Sequence, residues 1–110
     1  MLDLKLYILQ RATALAMAPF MVAHLAVMIY AVQGGLSASE ILGRTQGSVG
    51  WALFYGLFVL AASIHGSIGV RVIASEWLGL KRGPAGIVMA TVFLVLLTMG
   101  ARAVWAVTMG

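Results

Sequence analysis

Three long apolar runs constrain this chain more than any other feature of its sequence. Residues 12–33 contain no charged side chain, and two further apolar runs cover about residues 49–73 and 84–106. A helix needs about 20 mostly apolar residues to cross the hydrocarbon core of a bilayer. Because backbone polar groups inside a bilayer must be hydrogen-bonded within the protein, each run is expected to be helical. The sequence therefore predicts an all-α membrane protein with three transmembrane helices.

Composition agrees with this fold class. Of the 110 residues, 63% are hydrophobic and only 9% are charged, whereas soluble domains carry about 25% charged residues. We expect one domain over residues 1–110. There are no cysteines, which excludes disulfides and thiolate metal sites. The net charge of +4 is better explained by basic anchors at the membrane edges than by nucleic-acid binding.

The segments between the apolar runs differ in character. Residues 1–11 alternate apolar and polar side chains and are expected to form a short interfacial lead-in to the first helix. Residues 33–48 are rich in Gly, Ser and Gln, which predicts a loop, with Ser37 or Ser39 as the start of a short helical turn. Residues 74–84 form a compact charged link.

The basic residues predict how the chain lies in the membrane. Five of the seven would fall on one side, and Arg44 and Arg102 on the other. Cytoplasmic segments carry an excess of Lys and Arg. We therefore expect the N-terminus and the 74–84 link in the cytoplasm, on the side of Lys5, Arg11, Arg71, Lys81 and Arg82.

His65 is an ionisable side chain at membrane depth, which is a functional hypothesis by default. Its same-face neighbours are Ala61, Ala62, Ile68 and Gly69, and three of these four are small. A flat macrocycle needs clearance beside its axial ligand, so the pattern favours haem ligation. Small residues also allow close packing of helices, and a hydrogen-bonded, packed histidine is the alternative.

His24 has bulky neighbours on its helix face and lies at a different depth. It is 13 residues from Arg11, about 20 Å along a helix, while His65 is 6 residues from Arg71, about 9 Å. If both arginines mark the cytoplasmic edge, the two imidazoles cannot ligate one iron. Either His65 pairs with a histidine of a second subunit, or there is no haem. We expect His24 to be a packed histidine, with a second haem as the alternative.

Four further residues are candidates for a site near the cytoplasmic edge. Arg11 and Arg71 are either topology anchors or partners for a haem propionate or a quinone carbonyl, both of which suit guanidinium. Glu76 and Trp77 form either an ordinary loop pair or part of a quinone head-group pocket. The chain shows no nucleophile–base pair and no phosphate-binding glycine loop.

Several segments together resemble a known family. Residues 10–15 read QRATAL, residues 63–71 read SIHGSIGVR, and Glu76-Trp77 and Val104-Trp105 follow. With the three-helix layout, these segments are similar to the small membrane-anchor subunits of succinate dehydrogenase, especially the SdhD type. The resemblance covers nearly the whole chain.

The resemblance implies partners and a cofactor. Such anchors form half of a two-subunit bundle with a second three-helix subunit, and together they dock an iron–sulfur subunit and a flavoprotein subunit. Haem b lies between the two anchors with one histidine from each, and His65 matches the ligand position. Arg11 matches an arginine near the propionates and the quinone pocket. Glu76-Trp77 stands where relatives often have Asp-Tyr, and His24 has a counterpart only in anchors with two haems.

These implications predict a function. The chain is expected to anchor succinate dehydrogenase in a bacterial inner membrane rather than a mitochondrial one, to share haem b, and to help form a site for ubiquinone or menaquinone. Succinate oxidation would belong to the partner subunits. The alternatives are an anchor of a fumarate reductase or another respiratory complex, and a non-redox helical assembly protein whose histidines only pack.

Overall fold

The computed structural model of the chain describes residues 2–109 and consists of helices joined by short connections. Three of the helices are long and apolar enough to cross a membrane. No strand occurs within residues 2–109. The all-α fold with three membrane-crossing helices is thus confirmed. In chain order the helices are α1 (Leu2–Gly34), α2 (Ala38–Thr45), α3 (Val49–Leu78) and α4 (Arg82–Thr108).

Helix α1 is longer than the sequence pattern suggested. Residues 2–11, expected to be a separate lead-in, continue the helix without a break. These residues contain no Gly or Pro that would end a helix, and Asp3 lies in the first turn, where a negative charge is favourable. A helix of 33 residues is about 50 Å long, so α1 extends beyond the roughly 30 Å hydrocarbon core.

Helix α3 also extends past its expected end at residue 73 and stops at Leu78. Gly79 ends it with a left-handed φ of 68°, a conformation that costs glycine little. The backbone N–H groups of Gly79 and Leu80 both donate to the carbonyl of Ala74, which satisfies one of the free carbonyls at the helix terminus. The chain then reverses direction and enters α4.

Helix α2 confirms the helical turn expected in the loop. Ser37 is its N-cap: the Ser37 Oγ accepts from the Glu40 N–H at 3.2 Å and donates to Glu40 Oε1 at 2.8 Å. Side-chain capping of this kind satisfies an N–H group that has no partner inside the helix.

The middle helix in space is α3, which packs against both α1 and α4. It approaches α4 closely at Gly100, where an added methyl group would collide with the side chain of Val59. About two turns further along α3, a methyl group added at Gly66 would lie 3.3 Å from Leu96 Cδ1. Small residues at helix crossings permit this close packing in a membrane.

Helix α2 closes the end of the bundle at which α1 and α4 finish. The Thr45 hydroxyl donates to the carbonyl of Val107 at 2.6 Å, and the Gly47 N–H donates to the carbonyl of Thr108 at 2.6 Å. The last carbonyls of a helix have no partner within it. These bonds therefore satisfy the end of α4 and hold α2 against it.

Arg44 satisfies a free carbonyl at the end of α1. Its Nη2 donates to the carbonyl of Gly35 at 2.7 Å, and its Cζ lies 5.6 Å from the ring centroid of Tyr30. The side chain expected to be a simple membrane anchor is therefore also a cap for the end of α1, because a cation near a helix C-terminus is favourable.

Little apolar surface is buried inside the chain. The buried hydrophobic residues among those described are Ala61, Ile68, Ala74 and Ala85, while the outer faces of α1 and α4 expose large aliphatic side chains. The molecule measures 48 × 24 × 23 Å. These outer faces are suited to lipid or to the apolar surface of another membrane subunit.

Candidate functional site

Charged side chains meet where α1 begins, α3 ends and α4 begins; we name this region the charged end. Asp3 lies between two arginines, with Oδ1 3.7 Å from Arg71 Nη1 and Oδ2 3.5 Å from Arg82 Nη2. The Arg71 side chain is only 11% exposed, whereas that of Arg82 is 62% exposed. Of the two arginines, Arg71 is the one held inside the protein.

A cavity of about 440 Å³ opens between α1 and α3 at the charged end. Ligand pockets in proteins typically enclose about 300–1,000 Å³. The apolar part of the wall includes Leu6 and Ile68. The polar part of the wall comes from Asp3, Tyr7, Gln10, Arg71, Ser75 and Glu76.

Two polar atoms of this wall are buried and lack a hydrogen-bond partner among the described residues: Gln10 Oε1 and Arg71 Nε. A buried polar atom without a partner costs about 1–3 kcal/mol. One atom is an acceptor and the other is a donor. Both residues line the cavity, but these two atoms are covered by protein. A ligand with an acceptor, such as a ring carbonyl, and a donor, such as a ring hydroxyl, would pair with them once the Gln10 and Arg71 side chains turn towards it.

The structure brings Arg71 and Glu76 together in this wall and leaves Arg11 and Trp77 outside it. Arg11 is exposed, and its Cζ lies 5.7 Å from the ring centroid of Tyr7. The Trp77 side chain is 82% exposed. Both side chains are therefore accessible to a neighbouring molecule at this end of the bundle.

His65 lies deeper along α3 and is half-buried. Its Nδ1 is 3.4 Å from the hydroxyl oxygen of Thr13 on α1. Within residues 2–109 the other ring nitrogen, Nε2, has no hydrogen bond and is not among the buried atoms that lack one. Nε2 is therefore at least partly exposed at the surface of the chain.

The small residues near His65 serve packing within the chain. Ala61 is buried, as is the larger same-face neighbour Ile68. A methyl group added at Gly69 would lie 3.7 Å from Gln10 Nε2. The Gln10 side chain therefore borders the space beside Gly69 that the sequence suggested for a macrocycle. The exposed side of the His65 ring is the side that carries Nε2.

His24 lies in an aromatic cluster in the other half of the bundle. Its ring centroid is 6.2 Å from that of Tyr55 and 5.6 Å from that of Phe58, both edge-on. It also lines a second, largely apolar cavity of about 450 Å³. Phe58 is 7 residues from His65, about 10 Å along α3. The two histidines therefore lie at different levels, as their sequence spacing predicts.

Sequence reasoning missed Asp3 and Ser75 of the cavity wall. It also missed three further residues of this region: Tyr7, Gln10 and Thr13. They lie three residues apart along α1, so they share the face that contacts α3. Their spacing of three residues could have indicated a shared helix face. That interpretation holds only if residues 2–11 belong to α1, whereas the sequence pattern predicted a separate segment. Among the described residues no group of three or more His, Asp or Glu side chains could hold a metal ion.

Comparison with known proteins identifies the family. A family model described as the succinate dehydrogenase/fumarate reductase transmembrane subunit matches residues 1–101. No curated protein and no solved structure matches the chain. Since the family model covers nearly the whole chain, the chain belongs to this family of membrane-anchor subunits, as its sequence motifs predict.

Proposed function

Because this chain is a transmembrane subunit of the succinate dehydrogenase/fumarate reductase family, we propose that it is the SdhD-like anchor of a succinate:quinone oxidoreductase. In this proposal it shares a b haem with a second subunit and forms part of a site for ubiquinone or menaquinone. Flavin chemistry and succinate oxidation belong to the partner subunits. A fumarate reductase working in the opposite direction is the alternative within the family.

His65 is the proposed axial ligand of the haem. The observation that carries this assignment is the accessible Nε2 of a histidine whose other ring nitrogen already contacts Thr13. Neutral imidazole is the commonest metal ligand among side chains. When bound, haem supplies one-electron redox chemistry, and the protein supplies its orientation and electrostatic environment.

Arg11 and Arg71 have separate proposed roles. Arg11 is exposed on α1, outside the cavity at the charged end, so its guanidinium is free to bind a haem propionate of a group held between subunits. Arg71 is nearly buried and lines the cavity at the charged end, where it would donate to a quinone carbonyl. Arginine suits both tasks because its guanidinium stays charged and offers several donors.

The remaining quinone contacts are proposed for Gln10, Glu76 and Trp77. Gln10 Oε1 would accept from a quinol hydroxyl, and Glu76 lies in the same wall. Trp77 would close the pocket from its outer edge and could donate through its indole N–H. His24 would remain a packed histidine, and a second haem there is the minor alternative.

The surfaces of the chain support the proposed partners and location. The exposed apolar faces of α1 and α4 would pair with a second three-helix anchor and with lipid. The charged end, which holds most of the basic residues, would face the cytoplasm of a bacterium and would dock the iron–sulfur subunit, with the flavoprotein beyond it. Electrons would then reach quinone at the cytoplasmic edge of the membrane.

A non-redox assembly protein is the competing function. In that case both histidines would only pack, as His24 does against Tyr55 and Phe58. Two observations favour the redox function: the accessible Nε2 of His65, and the buried atoms of Gln10 and Arg71 that lack partners at the cavity.

The reduced-minus-oxidised absorption spectrum of the purified complex tests the proposal. We expect a b-type band that disappears in His65→Ala, because the iron loses an axial ligand, and that largely persists in His24→Ala. The two variants are matched, since each removes one intramembrane histidine from the same chain. Full haem content in His65→Ala, with the complex assembled, would refute the assignment.

A further inference from the structure

Thr13 is the residue that contacts the proposed haem ligand from another helix. It lies on α1 and is 7% exposed, while His65 lies on α3. We infer that Thr13 is a positioning residue, an inference that rests on the proposed function. Its hydroxyl accepts a hydrogen bond from His65 Nδ1–H and so directs the lone pair of Nε2 towards the iron.

The direction of this hydrogen bond follows from counting protons. Thr13 Oγ1 lies 2.8 Å from the carbonyl oxygen of Leu9 and 3.0 Å from that of Gln10. Both oxygens accept only, and a threonine hydroxyl has a single proton. The hydroxyl therefore donates to its own helix, and its lone pairs remain for His65, 3.4 Å away.

A hydroxyl that can only accept determines the tautomer of the imidazole. A neutral imidazole carries one N–H, and the other nitrogen holds the lone pair. If Nδ1 donates to Thr13, the lone pair is on Nε2, the nitrogen that reaches the surface of the chain. The 3.4 Å separation exceeds the usual range of about 2.7–3.2 Å, so the hydrogen bond is a long one.

An acceptor on the second nitrogen changes how the ligand binds a metal. Histidines that ligate metals generally donate their other N–H to an acceptor, which fixes the ring orientation and raises the basicity of the ligand. A more basic axial ligand stabilises oxidised iron more than reduced iron. Thr13 is therefore expected to strengthen haem binding and to lower the reduction potential of the haem.

The test compares hydroxyl-free and hydroxyl-bearing variants in the purified complex. In Thr13→Val we expect a higher haem reduction potential, an altered low-spin electron paramagnetic resonance spectrum, and faster haem loss to an excess of a soluble haem-binding protein. Loss of such an outer contact typically weakens metal binding about 10–100-fold. Thr13→Ser keeps the hydroxyl and should retain the wild-type potential and spectrum.

Thr91→Val is the matched control. The Thr91 hydroxyl also donates to the carbonyl four residues earlier, that of Ile87, at 2.9 Å, but it is exposed on α4. Its removal should leave the haem reduction potential unchanged.

If Thr13→Val does not assemble, Thr13→Ala makes the same comparison with a smaller side chain. A shifted potential in Thr13→Ser would contradict the inference even if neither hydroxyl-free variant assembles.

The outcomes separate this inference from the proposed function. If Thr13→Val or Thr13→Ala binds haem with a wild-type potential, spectrum and rate of haem loss, Thr13 does not position His65, and the haem assignment stands. If the wild-type complex contains no haem, or His65→Ala keeps it, the proposed function itself fails.

Discussion

At the scale of single residues, Arg71 is the most costly side chain in the charged end. A nearly buried guanidinium is tolerated when its donors are paired, yet its Nε has no partner and its ion pair to Asp3 is 3.7 Å long. The Asp3 carboxylate is 72% exposed, so solvent weakens the attraction. An unpaired buried donor lowers the stability of the folded chain. A role for Arg71 in binding a ligand in the cavity would explain why this cost is tolerated.

Substitution of Gln10 tests the proposed quinone site more sharply than substitution of Arg71, because it removes a hydrogen-bonding group without changing the charge. We expect Gln10→Leu to raise KM for quinone by up to about tenfold, the effect of losing one hydrogen bond of roughly 0.5–1.5 kcal/mol. Succinate oxidation with a soluble dye acceptor should be unchanged. Gln33→Leu, at the exposed far end of α1, is the control. Equal losses in the quinone and dye assays would indicate failed assembly, whereas an unchanged KM for quinone would contradict a role in quinone binding.

At the scale of helices, the position of α3 between α1 and α4 decides which side chains meet. The side of α3 facing α4 approaches closely at Gly100 and Gly66. The side facing α1 carries His65 and Arg71. Because α3 contributes to both interfaces, a change in its packing against α4 would also move the histidine and the arginine on its other side.

Gly100 is the position at which this packing can be tested. Gly100→Ala should destabilise the chain by about 1–3 kcal/mol, the usual cost of overpacking, because the new methyl group collides with Val59. Gly86→Ala, in the same helix, adds its methyl group to open space and should be neutral or slightly stabilising. Thermal unfolding of the purified complex measures both.

A second substitution separates overpacking from other effects at Gly100. Val59→Ala removes the methyl groups that an alanine at position 100 would meet, so it should restore much of the lost stability in the double variant. If Gly100→Ala is as stable as Gly86→Ala, the close approach of α3 and α4 does not limit the packing.

At the scale of the whole molecule, the two ends of the bundle have different tasks. One end is closed by α2, whose Arg44 and Thr45 satisfy the last carbonyls of α1 and α4. The other is the charged end, where Asp3 joins Arg71 to Arg82 beside an open cavity. The charged end combines exposed charges with a cavity whose wall is partly polar, which suits it to the proposed contacts with partner subunits and a quinone.

The absence of cysteine makes the orientation easy to measure. A membrane-impermeant maleimide should label Ala38→Cys, exposed at the start of α2, in intact cells. It should label Leu78→Cys, exposed at the end of α3, only after the membrane is opened and the complex is unfolded. The reverse pattern would place the charged end outside the cytoplasm and contradict the proposed docking of the catalytic subunits there.

The sequence by itself determined the three membrane-crossing helices, a helical turn beginning at Ser37 or Ser39, and the family. These features depend on each segment alone, because a backbone in a bilayer must satisfy its own hydrogen bonds. Only the tertiary structure decided that Thr13 meets His65, that Gln10 and Arg71 share a cavity, and that Arg11 and Trp77 lie outside it. These contacts between side chains of different helices depend on the rotation and register of α1 against α3. Both are set by packing between helices, which the pattern of a single segment does not specify.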